Sequence, residues 1–306
     1  MPPQVPDSPS TGPADTRGGG TGPRPLRVRS EVDARTHQGL VRASNEDSFV
    51  VFRLVRYLER VLSNIPESEL PTRGEDTGYL LVVADGMGGH QAGEVASRSA
   101  IVNALQLILR SPRWALNLDD PQTRETEISS LLARSRTYLA AVHAALREQA
   151  SSDSRLEGMG TTLTGAYTVG ADMFVLHVGD SKAYLLRGER MIKITHDHTV
   201  AQQYADLGVI PQEAVPGHHA SHMLTRAIGA PTEKLSGDMH HLQIQDGDRL
   251  LLCSDGLTDM ASEDQIVAVM RSRPTAAEAA QGLIDLALSG GGRDNITVIV
   301  ANYQVE

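Results

Sequence analysis

Apolar runs in this chain repeatedly meet an aspartate beside a small residue. LLVVADG gives Asp85, MFVLHVGDS gives Asp180, LLLCSDG gives Asp255, and Asp294 stands just before NITVIV. The acidic pair of Asn45-Glu46-Asp47 precedes a further short apolar stretch. Strand ends meet at the rim of a sheet, so these carboxylates are expected to converge in space. Left bare, they would repel one another and raise each other's pKa values. All-oxygen clusters suit hard divalent cations such as Mg2+ or Mn2+. The pattern predicts a metal-dependent hydrolytic centre.

Other chemistries fail on particular residues. Gly88 and Gly93 match the glycines of a P-loop, but Glu94 stands where the phosphate-binding lysine belongs. The dinucleotide fingerprint that Gly86-Met87-Gly88 begins lacks its third glycine. A backbone passing close to a metal ion suits this stretch better, with Asp85 offering its carboxylate and Gly86 its carbonyl oxygen. A cysteine-dependent phosphatase needs an arginine six residues after its nucleophile, and Asp259 holds that place after Cys253. Cys253 lies inside an apolar strand pattern and reads as a buried, inert thiol. The run His218-His219-Ala220-Ser221-His222 has no nearby Cys or His at zinc-ligand spacing and reads as an exposed loop. Asn295-Ile296-Thr297 fits a glycosylation sequon that is read as accidental.

The elements that must position these groups follow from period. Residues 79–84, 172–179, 183–187, 191–195, 248–254 and 295–305 are short, continuously apolar and strand-like. Arg187-Gly188-Glu189-Arg190 predicts a hairpin between two of them. Residues 94–110, 127–149 and 275–288 carry one-sided apolar stripes and read as helices. Residues 54–62 look helix-like without an assignable role, and 63–77 read as a surface loop. Helices segregated from hairpin-linked strands argue for α+β layers. The first 25 residues hold seven prolines and five glycines. Residues 1–26 are therefore expected to be a disordered tail, and 27–306 a globular domain.

Composition narrows the partners. The chain has 306 residues and a formal net charge of -10, with no Lys/Arg-rich block, which argues against nucleic acid. One cysteine excludes an internal disulfide. No apolar run approaches a membrane span and no signal peptide opens the chain. A soluble, cytoplasmic protein is expected. No heptad or exposed apolar stripe marks an interface, so a monomer is expected.

Six motifs stand in a fixed order: RASNEDS from Arg42, ADGMGGH from Ala84, GMGTT from Gly158, HVGDS from His177, CSDGLTD from Cys253 and GRDN from Gly292. Together they resemble the metal-dependent Ser/Thr protein phosphatases of the type-2C family in its bacterial form, from about Val32 to Tyr303. The resemblance implies two central antiparallel sheets flanked by helices, a four-layer α-β-β-α sandwich. It also implies two Mn2+ or Mg2+ ions at one end of that sandwich. Asp85 should bridge them, Asp255 and Asp294 should ligate one, and the Gly86 carbonyl the other. Asp47 should hold the cluster, with Glu46 beside it. Asp180 and Asp259, with Asp255, match a weaker third metal site. Arg42 matches the phosphate-binding arginine and His90 the general acid.

The family usually has arginine after Gly-Asp-Ser. Here it is Lys182, a change read as weakening an ion pair without touching a metal ligand. Residues 197–222 resemble a flap beside the active site. The partners implied are phosphorylated proteins, a Ser/Thr kinase and its substrates among them. The competing readings are a phosphoprotein-binding pseudophosphatase and a metallohydrolase of small phosphoesters.

Overall fold

The computed structural model describes residues 28–56, 76–110, 118, 120–232 and 235–306. The strands are β1 (Val28–His37), β2 (Asp47–Arg56), β3 (Asp76–Met87), β4 (Gly160–Thr161), β5 (Leu163–Val169), β6 (Asp172–Val178), β7 (Lys182–Arg187), β8 (Arg190–Lys193), β9 (Asp238–Gln243), β10 (Arg249–Cys253) and β11 (Ile296–Val305). The helices are α1 (His90–Arg110), α2 (Arg124–Ser152), α3 (Val200–Asp206), α4 (Asp255–Thr258), α5 (Glu263–Ser272) and α6 (Ala276–Ser289).

One antiparallel sheet runs β1-β11-β10-β7-β8. The other runs β2-β3-β5-β6-β9, with β4 paired to the end of β3. Successive strand residues point to opposite faces, and here both faces are buried. Leu81, Val83, Ala183, Leu185, Leu250, Leu252, Ile299 and Ala301 fill the space between the sheets. Their neighbours Tyr184, Leu186, Leu251, Cys253, Val298 and Val300 pack instead against α5 and α6. Val82 and Ala84 pack under α1 and α2, on Ala92, Ala96, Ala100, Leu139 and Leu146. The strands are continuously apolar for this reason, rather than alternating. The four-layer α-β-β-α sandwich is the observed architecture.

The expected hairpin joins β7 to β8, with Arg187 opposite Arg190 and Gly188 at φ 59° in the left-handed region its turn requires. Five of the strands, β1, β2, β4, β5 and β9, lay outside the sequence reading. β1, β2 and β9 mix charged and polar residues with apolar ones, and β1 is only half-buried along its length. Residues 54–56, read as part of a helix, belong to β2, because they pair with β3 at Gly78, Thr77 and Asp76. The rest of 54–62, most of the loop at 63–77 and the tail at 1–26 lie outside the described residues. Helix α5 was also missed, although Ser262 and Gln265 form a capping box at its start. Among the described residues, no helix is long and apolar enough to cross a membrane.

The inter-sheet core sets both stability and the spacing of the strand ends. Leu252 is fully buried there. Leu252→Ala is expected to cost about 2–5 kcal/mol of unfolding free energy, as for other buried leucines. Urea titration with an unchanged m-value would register that loss, and a cost under about 0.5 kcal/mol would contradict full burial.

Candidate metal centre

Both sheets deliver carboxylates to the same end of the sandwich. Asp47 opens β2 and pairs across the ladder with Asp85 near the end of β3. Asp85 continues the alternation of Leu81 and Val83, so it faces the space between the sheets. Asp180 follows β6 after Gly179, which turns the chain at φ 108°. From the second sheet, Asp255 begins α4 just after β10, and Asp294 lies just before β11. Arg42, Glu46, Asp85, Gly86, Asp180, His222, Asp255, Asp259 and Asp294 line one cleft. The buried Asp47 sits behind it, within electrostatic reach of Asp85, Asp255 and Asp294.

The backbone around Asp85 is held on both sides. Its N–H donates to Thr162 Oγ1 at 2.9 Å, and its carbonyl accepts from Thr162 N–H at 2.9 Å and Thr161 Oγ1 at 2.8 Å. The Gly-Thr-Thr motif thus fixes a site residue. Gly86 donates its N–H to the Glu46 carbonyl at 3.2 Å. A β-carbon on Gly86 would strike the Gly93 carbonyl, so only glycine allows this approach.

Asn295, which is buried, stitches the loop before β2 to the strand after Asp294. It donates to the carbonyls of Gln38 and Ser44, each at 2.8 Å, and accepts from Glu46 N–H at 2.8 Å. Its sequence signal was hidden inside a sequon-like triplet.

The crowding shows in the electrostatics. Burial, then Asp255 and Asp294, pushes Asp47 up to about 7 against hydrogen bonds from Thr297 and Ser254. Burial, then Asp47, Asp255, Asp180 and Asp294, holds Asp85 well above the usual carboxylate range. Asp180 is raised to about 7 by burial and Asp255, and Asp259 to about 6 by the same two causes. Burial would raise Asp255 as well, but His222 and Lys182 outweigh it and keep that carboxyl low. Asp47 Oδ1 and Asp255 Oδ1 are buried and accept no hydrogen bond among the described residues. Converging acceptor oxygens without donors are the coordination that hard divalent cations complete. The residues present fit such ions.

Of the residues singled out in the sequence, Asp47, Asp85, Gly86, Asp180, Asp255, Asp259 and Asp294 are brought together. Arg42 reaches the same cleft, its Nη2 on Asp294 Oδ2 at 2.5 Å. His90 opens α1, but its side chain lies outside the described residues. Two readings change. Lys182 does touch a site residue: its Nζ donates to the Asp180 carbonyl at 2.9 Å while facing Asp197 at 3.6 Å. His222 is not merely a loop histidine. Its ring lies between Asp255 and Asp259, at 3.4 and 3.6 Å, and these carboxylates, against the opposing effect of burial, move its pKa up to about 9.

These shifts fix a pH dependence. In the unfolded chain Asp47 and Asp180 titrate near 3.8, but in the fold they stay protonated to about 7. Between those values the folded state binds more protons, so metal-free stability falls as pH rises. The Tm of EDTA-treated protein is expected to drop across that window, less steeply in Asp180→Asn, and saturating Mn2+ should remove the drop. A flat or rising Tm without metal would refute this.

Comparison with known proteins agrees with the geometry. The family described as protein phosphatase 2C matches residues 69–287. The serine/threonine protein phosphatase PstP of Mycobacterium tuberculosis is 37% identical over 269 residues, which is 88% of this chain and 44% of that protein. The chain therefore spans less than half the length of that relative. The serine/threonine phosphatase stp of Listeria innocua is 33% identical over 273 residues, covering 88% of this chain and 94% of that one. The crystal structure of the PstP catalytic domain in complex with two manganese ions superposes with a TM-score of 0.67 at 35% identity, covering 91% of this chain and 99% of that one. On sequence, fold and the arrangement of its carboxylates, this chain belongs to the protein phosphatase 2C family.

Proposed function

We propose that this chain is a metal-dependent protein phosphatase that hydrolyses phosphoserine and phosphothreonine on proteins. The observation that supports it best is the meeting of Asp47, Asp85, Asp255 and Asp294 at one cleft, with buried acceptor oxygens left unpaired. In this reading Asp85, Asp255, Asp294 and the Gly86 carbonyl would hold two Mn2+ or Mg2+ ions, with Asp47 securing the cluster. Asp180 and Asp259 serve a weaker third site with Asp255. The ion pair, when bound, makes water acidic enough to supply a nucleophile near neutral pH.

The protein's own groups do the rest. Arg42 is exposed at the cleft, and its Asp294 partner aims the guanidinium. Its planar fork can present paired donors to two phosphate oxygens, which an ammonium group cannot match. His90 is assigned as the proton donor to the departing serine or threonine oxygen, a general-acid role that histidine side chains commonly fill. No side chain forms a covalent bond to phosphorus. Cys253 is buried and its thiol is pushed up to about 12 by burial, so no thiolate competes for that role.

The catalytic unit in this reading is residues 27–306, acting as a cytoplasmic monomer on proteins phosphorylated by a Ser/Thr kinase. Small phosphoesters would serve as artificial substrates. A pseudophosphatase would be expected to lack a ligand, whereas every assigned position carries its acidic residue.

Hydrolysis of a phosphothreonine peptide with Mn2+, with Mg2+ and with EDTA tests the proposal. Turnover is expected only with metal, and Asp85→Asn is expected to lower kcat/KM by on the order of 10³-fold, about 4 kcal/mol of barrier. Full activity in Asp85→Asn would sink the two-metal assignment. Arg42→Lys is expected to raise KM on the order of tenfold while kcat changes little, because a paired contact becomes a single point charge. An unchanged KM would remove Arg42 from phosphate binding.

A further inference from the structure

The apolar layer beneath α1 and α2 is not continuous. Its buried side chains fall into two clusters, where a domain usually has one contiguous core. Val82, Ile101, Leu139, Val142 and Leu163 belong to the first. Leu118 and Phe174 form the second, with Leu131 and Tyr167 packed on them. Between the two lies a cavity of about 150 Å³, lined by residues of both. None of its lining residues lines the carboxylate cleft.

Two small residues leave this space open, Ala104 on α1 and Gly165 on β5. Gly165 does not stand at a positive φ, so its backbone does not require glycine. A β-carbon there would come no nearer to a neighbour than 3.4 Å, so crowding does not require it either. A glycine inside a strand often marks the close approach of another group, and here the space above it is vacant.

An apolar cavity of about 150 Å³ stays dry and can take up a molecule the size of benzene, which restores the dispersion contacts its walls lack. This one is carbon on the side of the sheet, with Leu80, Val82 and Leu176 beside the rings of Tyr167 and Phe174. On the side of α1 it is carbon again, with Ile101, Leu105 and Ile108. The polar side chains stand along one edge of α2, namely Arg134, Ser135 and Tyr138. Ser135 Oγ donates to the Leu131 carbonyl at 2.9 Å. Arg134 is half-buried, and its Nη1 donates to Ser130 Oγ at 2.9 Å. No carboxylate among the described residues pairs with Arg134, and the Tyr138 hydroxyl makes no hydrogen bond among them.

We infer that this cavity binds a small aromatic carboxylic acid, its ring between the helices and the sheet and its carboxylate on Arg134. A guanidinium fork matches a carboxylate with two parallel hydrogen bonds, and the Tyr138 hydroxyl can donate a third. Phe174 is fixed by stacking on His241 at 4.5 Å and lies 6.3 Å from Tyr167, so a ring wall stands ready for a further ring at aromatic spacing. The volume suits one ring rather than a long acyl chain. Nothing in the inference depends on the reading of the carboxylate cleft.

The test titrates the full chain with benzoate and with toluene, its neutral counterpart in size, with Mn2+ and with EDTA. Calorimetry measures affinity, and methyl-labelled NMR locates the ring. One benzoate per chain is expected under both conditions, with contacts from its ring protons to the methyls of Leu80 and Leu176. Arg134→Gln should weaken benzoate at least on the order of tenfold and leave toluene unchanged. Gly165→Val fills the cavity and should weaken both, with a ligand-free Tm equal to or above that of the wild type.

Benzoate that fails to saturate a single site overturns the proposal. So does benzoate whose ring contacts lie elsewhere, or whose affinity survives Arg134→Gln. Toluene bound as tightly as benzoate would make the site a plain apolar void and overturn the assignment of an acid. Should Gly165→Val lower the Tm, the ring contacts and Arg134→Gln decide without it.

Discussion

Like charges gathered at one end of a buried space govern this molecule. Asp47, Asp85 and Asp180 are all pushed toward protonation by burial and by neighbouring carboxylates, Asp255 among them in each case. The positive groups the protein sets against them, Arg42, Lys182 and His222, stand at the margin rather than at the centre. The fold therefore holds an arrangement that it does not neutralise by itself. That unfavourable electrostatics is tolerable because the scaffold is rigid: Thr161 and Thr162 clamp Asp85, Asn295 ties two loops, and a tight glycine approach seats α1 against the end of β3.

The division of labour between the sheets follows. Asp47, Asp85 and Asp180 come from one sheet, while Asp255 and Asp294 come from the other. Their separation is set by how the inner side chains of the two sheets interlock. Interiors are close-packed, so strain in such a layer is transmitted rather than absorbed. The residues between the sheets are thus also part of what spaces the carboxylates.

How far the sequence could be read depends on burial. Strands covered on both faces, such as β3 and β10, announce themselves as unbroken apolar runs that end in an aspartate. β1 and β9 have no such signature, because charged and polar residues interrupt them. The site divides in the same way. Its aspartates are legible because each ends or begins a run, and their order along the chain is a family trait. His222 is illegible because its partner Asp255 lies 33 residues away, and only the return of the segment brings them together. Asn295 and Lys182 mislead for a related reason: each acts on backbone carbonyls, and local sequence does not say which carbonyls will be near.

β1 and β11 pair along their whole length, from Val28 opposite Val305 to His37 opposite Ile296. The second of these pairs adjoins the carboxylates. The first lies a full strand away, roughly 30 Å at about 3.3 Å per residue. Both ends of the folded unit therefore leave side by side from the pole opposite the cleft. A tether, a neighbouring domain or a tag joined at either end would start there, clear of the mouth of the cleft. The geometry keeps the carboxylate cleft and the pole of attachment a full strand apart, so what is joined at one need not disturb the other.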